Sequence, residues 1–231
     1  VSTSCRKEKF GENDPFAQYR EIAWEGPESM AAGRVSFVGE LDISGFPHIE
    51  TIVVVEGELT LEAAGMAPLV LGPKMGAVID GGTALRVKAG SSVVFTFCAA
   101  ACKMPMRGGI FPLRVEDAEF KPSASLPSEV LLGPVPQCRG DNAFTDEGIE
   151  YQAGTWDSTP YHRIIRPHRQ NEFMHFLAGD VRFAMPDESV LLLGVGDVIF
   201  VPRGASIGWE SSSHVAKFYV VQDVQAIAER N

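Results

Sequence analysis

The sequence predicts an all-β protein made of two tandem barrels, and three observations predict it. First, segments such as 34–41 (RVSFVGEL) and 51–61 (TIVVVEGELTL) are rich in β-branched residues with partial alternation, the pattern of half-buried strands. Second, Gly-containing turns such as Glu56-Gly57-Glu58 part these segments at short intervals, which argues for a sandwich or barrel rather than strand–helix–strand units. Third, the spacing repeats. Glu172 and Gly179 follow Glu50 and Gly57 at an offset of about 122 residues. Likewise Ala153-Gly154 answers Ala32-Gly33, and 196–204 (GDVIFVPRG) answers 82–90 (GTALRVKAG). A repeat that long means two copies of one domain, because solenoid repeats run to about 20–50 residues.

Residues 1–29 read as an N-terminal arm packed on the first barrel: polar, broken by Pro15, Gly26 and Pro27, with an apolar turn at 19–24. Residues 30–114 form the first domain. It carries an insertion between Gly72 and Gly82 and a sulfur-rich stretch with Cys98, Cys102, Met104 and Met106. Soft ligands of this kind can hold copper, but Met and Cys are also common core fillers, and packing is the reading adopted. Residues 115–149, with Pro122, Pro127, Pro134 and Pro136, read as a connection between the domains that crosses one barrel's surface and carries a strand of its own. Residues 150–231 form the second domain, where Val224, Ile227 and Ala228 are spaced for one face of a short C-terminal helix.

Hydrophobic and charged contents of 45% and 22% are ordinary for a globular chain, and 231 residues bury enough surface to need no disulfide staples. A net charge of -10 disfavours nucleic acid, whose phosphates want clustered Lys and Arg. No run approaches the roughly 18 apolar residues of a membrane span, and the first residues have no apolar core of a signal peptide. The expectation is a cytoplasmic protein with reduced cysteines at 5, 98, 102 and 138 and no membrane partner. Cys98 and Cys102 lack the second pair that a zinc site would want. There is no nucleophile elbow, P-loop or dinucleotide fingerprint.

The most informative stretches are 162–183 (HRIIRPHRQNEFMHFLAGDVRF) and 194–209 (GVGDVIFVPRGASIGW). They resemble the two motifs of the cupin superfamily. With Trp209 and 217–221 (KFYVV), they look most like the subgroup of ureidoglycine aminohydrolase and the ethanolamine-utilisation cupins. The resemblance covers about 30–112 and 150–222 and implies a bicupin of two RmlC-like jelly rolls, a fold compatible with a homodimer. It also implies a site. In metal-binding cupins the first motif supplies two histidines and a glutamate, and the second adds a histidine. At those positions stand Arg166, His168, Glu172 and Ile207, so two match. His162 is a candidate third ligand for a divalent ion such as manganese, zinc, iron or nickel. Ureidoglycine aminohydrolase uses a carboxylate, two histidines and an amide, of which one position agrees in type.

Strand alternation places His162, Ile164, Arg166, His168, Gln170, Glu172, Met174 and Phe176 on the interior face, with His175 facing out or into the contact between the domains. Without a metal, Arg166, His168 and His162 form a cationic patch for a carboxylate ligand, with Glu172 holding Arg166 or His168. Trp156, Phe200, Trp209 and Tyr219 supply apolar walls, while Lys217 reads as structural. The first domain has Phe46 where the second has His168, leaves His48 beside Glu50, and is otherwise apolar inside (Ile52, Val54, Leu85, Val87, Val93, Phe95), so it reads as mainly structural or as offering an apolar cavity. The leading expectation is a small-molecule-binding protein whose pocket lies in the C-terminal domain. The competing ones are a metal-dependent enzyme on a small nitrogenous or carboxylate metabolite, and a non-catalytic structural or interaction protein.

Overall fold

A computed structural model describes residues 4–26, 29–102, 106–124 and 126–223. The chain divides into two compact units, Val1–Leu113 and Arg114–Asn231, each built of antiparallel strands. Among the described residues no helix is long and apolar enough to cross a membrane.

The first unit runs β1 (Arg6–Lys7), β2 (Arg20–Glu25), β3 (Met30–Ile43), β4 (Ile49–Glu56), β5 (Leu59–Ala63), β6 (Leu69–Leu71), β7 (Gly76–Ile79), β8 (Leu85–Ala100) and β9 (Ile110–Leu113). The order is β1-β2-β3-β8-β4-β7-β9, with β5 joined to β8 and β6 to β5. The long β8 turns this sheet on itself: its first half pairs with β5 from Leu85 to Lys88, its second with β4 from Val94 to Ala100. What it wraps is the apolar interior foreseen in the sequence. Phe46, Ile52, Val54, Leu85, Val87, Val93 and Phe95 are all buried in one cluster.

The second unit runs β10 (Lys121–Pro122), a 3-10 turn (Ser128–Val130), β11 (Cys138–Asp146), β12 (Tyr151–Ser158), β13 (His162–Pro167), β14 (Asn171–Ala178), β15 (Val181–Ala184), β16 (Val190–Leu193), β17 (Val198–Val201), β18 (Ser206–Glu210) and β19 (Val215–Gln222). One sheet has the order β10-β11-β12-β19-β14-β17, the other β13-β18-β15-β16. Met174 and Phe176 from the first and Val181, Phe183, Ile207 and Trp209 from the second share a buried core.

The stretch 115–149, read as a connection, thus supplies β10 and all of β11, and the unit boundary falls at Leu113. The arm 1–29 supplies β1 and β2, with β2 paired to β3. The helix expected around Val224, Ile227 and Ala228 lies outside the described residues, as does Met104. The sulfurs of Cys102 and Met106 close over Gly81, where a Cβ would meet them at 2.5 and 2.8 Å.

The register of the strands carries the repeat further than residue identity does. In the first unit Arg20 faces Val35, Val35 faces Phe95 and Phe95 faces Val54. In the second, Gly140 faces Trp156, Trp156 faces Lys217 and Lys217 faces Phe176. Each row has a bulge next to it, between Ile22 and Trp24 in β2 and between Asn142 and Phe144 in β11. At each bulge a glycine lets two backbones approach: a Cβ on Gly33 would lie 2.0 Å from Glu21 O, and one on Gly154 2.1 Å from Asp141 O. This is why Ala-Gly recurs. Gly33→Ala and Gly154→Ala should each destabilise the chain by about 3 kcal/mol, read as a lower urea midpoint; a midpoint unchanged in both would show that the approach is not needed.

Candidate functional site

The cavity of interest has a volume of about 390 Å³ and lies in the second unit, lined from both of its sheets. Trp156 comes from β12, Arg163 from β13, Glu172 and Met174 from β14, Ile207 and Trp209 from β18, and Lys217 and Tyr219 from β19; Tyr161 and His168 stand just outside the ends of β13.

At its centre the Glu172 carboxylate is held on both oxygens. Lys217 donates from Nζ to Oε1 at 2.7 Å, and His168 Nε2 lies 2.8 Å from Oε2. Burial alone would raise the Glu172 carboxyl; the Lys217 ammonium and the His168 hydrogen bond together hold it well below the usual carboxylate range. Lys217 also lies over the faces of Trp156 and Trp209, 4.8 and 5.2 Å from their centroids, where a cation is attracted to the ring. Trp209 is stacked on Tyr161 at 5.3 Å and 8°. Burial pushes the Tyr219 hydroxyl up to about 12, so it remains a neutral donor.

Of the residues foreseen from the sequence, His168, Glu172, Trp156, Trp209 and Tyr219 meet in this cavity. His162 does not. It is exposed and stands opposite Glu210, away from the interior. Arg166 is half-buried opposite Ile207 and does not line the cavity, and Phe200 lies across from Phe173 on another part of the sheet. The reason is a bulge in β13: Arg163 faces Trp209 and Arg166 faces Ile207, so two residues of β13 answer the single residue 208. The bulge ends strict alternation, leaves Ile164 and Ile165 exposed at 37% and 42%, and turns Arg163 into the cavity. His175, of the opposite parity, does not line the cavity and is buried beside Phe218.

Two cationic groups were missed. Lys217 could have been suspected as the one charge in an apolar strand, on the same face as Tyr219. Arg163 could not, because its place depends on the bulge. Its Nη2 donates to Ile207 O at 3.3 Å, its Nε is buried without a hydrogen-bond partner among the described residues, and no carboxylate there forms an ion pair with it. Burial lowers the guanidinium from its ordinary value, and Arg166 nearby lowers it further.

The four cupin ligand positions do not fit a metal ion here. Only His168 and Glu172 offer donors, the last position is the buried Ile207, and an ammonium already occupies one oxygen of Glu172. Among the described residues no three His, Cys, Asp or Glu side chains come together as a metal-holding group.

The first unit places a different network at the matching point. His48 Nε2 lies 2.7 Å from Glu50 Oε2, the pair foreseen in the sequence, but Arg20 from β2 also enters the interior. Its Nη2 donates to Glu50 at 2.8 Å, and its Nε and Nη2 donate to Asp14 at 2.7 and 2.9 Å. Burial would lower the Arg20 guanidinium, and Glu50 and Asp14 more than reverse it.

A model of the EutQ-like cupin domain matches residues 145–219. A protein of unknown function of the DUF861 family from Pseudomonas syringae pv. tomato is 35% identical, with a TM-score of 0.90 over 96% of this chain and 94% of that one. The chain belongs to the DUF861 family of cupins. Two structures share the fold at low identity. They are a cupin 2 conserved barrel domain protein from Leptotrichia buccalis (8% identity, TM-score 0.60, 87% and 86% of the two chains) and the DUF861 protein Ylba from E. coli (12%, 0.54, 87% and 82%). No curated protein matches the sequence.

The Glu172 carboxyl is depressed below its ordinary 4.5 in the folded cupin, so the unfolded chain takes up its proton first as pH falls. Its contribution is full above about pH 4.5 and is lost as pH falls toward the folded value. Glu172→Gln should cost about 3 kcal/mol at neutral pH by leaving Lys217 without its counter-charge. It should also flatten the dependence of the urea midpoint on pH between about 6 and 3; an unaltered slope would mean the pair contributes nothing to acid stability.

Proposed function

We infer that this cupin is a bicupin whose C-terminal unit binds a small metabolite by its carboxylate group, without a metal. The observation that carries this is Arg163. Lys217 and Glu172 neutralise one another inside the cavity, and the Arg163 guanidinium, which also lines it, has no carboxylate partner among the described residues. A carboxylate ligand supplies that counter-charge and two acceptor oxygens in the plane of the guanidinium fork.

The walls define the rest of the ligand. Trp156, Trp209, Met174 and Ile207 present apolar and aromatic surface, suited to a compact apolar or planar body, and about 390 Å³ lies in the range of small-molecule sites. Glu172 acts as the post that fixes Lys217 and His168.

Benzoate and succinate are suitable probes, with benzamide as the neutral control. One carboxylate should raise the melting temperature progressively, with the logarithm of its concentration once above Kd, benzamide should not, and Arg163→Gln should weaken binding by roughly 10- to 100-fold, the loss of one charge-assisted hydrogen-bonded contact. Equal stabilisation by benzamide, or none by any carboxylate at millimolar concentration, would sink the reading. A stoichiometric divalent metal lost in His168→Ala would replace it with the metal-dependent alternative.

A further inference from the structure

The N-terminal unit is already occupied, and its occupant is part of the chain. Arg20 is fully buried, its fork donates to Asp14 and Glu50, and its guanidinium carbon stands 4.1 Å from the centroid of Phe97 and 5.8 Å from that of Phe16. Two carboxylates at the edge and aromatic faces on the flanks are the complement of a planar guanidinium cation. The side chain that fills the cradle enters from β2, the outer strand of the four-strand row, opposite Val35.

At the same point of the second unit, opposite Trp156 on β11, stands Gly140. No side chain enters there. The carboxylate of that unit takes its cation instead from Lys217, in the place where the first unit has Phe95. A Cβ at position 140 would meet nothing nearer than Thr155 O at 3.8 Å, so the backbone does not demand glycine. Its φ is not in the left-handed region either. The missing side chain is what distinguishes the two interiors.

We propose that Arg20 is a built-in guanidinium ligand that closes the N-terminal unit, and that Gly140 is the substitution that leaves the C-terminal unit open, so that each chain has one site. The first half stands on the network around Glu50 alone; the second rests on the carboxylate-binding reading of the C-terminal cavity.

The two halves are tested separately in the full chain. Arg20→Gly leaves Asp14 and Glu50 facing an emptied cradle, and methylguanidinium chloride at millimolar concentration should raise its melting temperature by several degrees over equal sodium chloride, with saturation. Wild type should not respond, and adding Glu50→Gln should remove the gain. If Arg20→Gly is unfolded without additive, the fraction refolded by methylguanidinium is read instead. No recovery, or the same response in wild type, overturns the built-in ligand. For the second half, Gly140→Arg should keep a melting temperature near wild type and lose at least tenfold in benzoate affinity; affinity equal to wild type overturns it. Failure of wild type itself to bind any carboxylate overturns the reading of the C-terminal cavity and the role of Gly140 with it, while the methylguanidinium result still decides the role of Arg20.

Discussion

A carboxylate placed in the interior of a β-fold has to be matched by a cation. Both units keep a glutamate on a central strand, Glu50 on β4 and Glu172 on β14, and each is surrounded by apolar side chains. An unmatched charge there would cost several kcal/mol, so the position of the counter-charge organises everything near it. In the first unit it comes from the outer strand and brings Asp14 and Phe16 into the interior with it. In the second it comes from β19, beside β14 in the same sheet, and occupies little more than the space between two tryptophan rings.

That difference sets how much space each interior keeps. A guanidinium entering from the outer strand fills the space beside Glu50. An ammonium from a neighbouring strand satisfies the carboxylate and leaves room, and it also occupies one oxygen of Glu172. The space then belongs to Arg163, His168 and the aromatic walls. The fold is shared with distant cupins at 8% and 12% identity, and fold alone does not carry function; the chemistry here follows from which strand supplies the cation.

Much of this was legible in the sequence. Glu50 and Glu172, the paired Ala-Gly steps and the matching glycine turns reveal the repeat because each answers to a local demand: a glycine where backbones touch, a turn where a strand ends. The same holds for Glu172, Trp156, Trp209 and Tyr219, which lie on strands that alternate regularly. Strands β2 and β11 were not legible as equivalents, since REIAWE and CRGDNAFTD share no residue pattern and are recognisable only by the partners they face.

By itself, then, the sequence determined the all-β class, the repeat and the apolar character of the first interior, because hydrophobic alternation and glycine turns are properties of neighbouring residues. Tertiary structure alone decided that Arg163 enters the cavity and His162 leaves it, since one extra residue in β13 inverts the faces beyond it. It also decided that Arg20 belongs to Glu50 and Lys217 to Glu172. These pairs are separated by 30 and 45 residues, and such partners meet only when strand order and register bring them to the same point of a sheet.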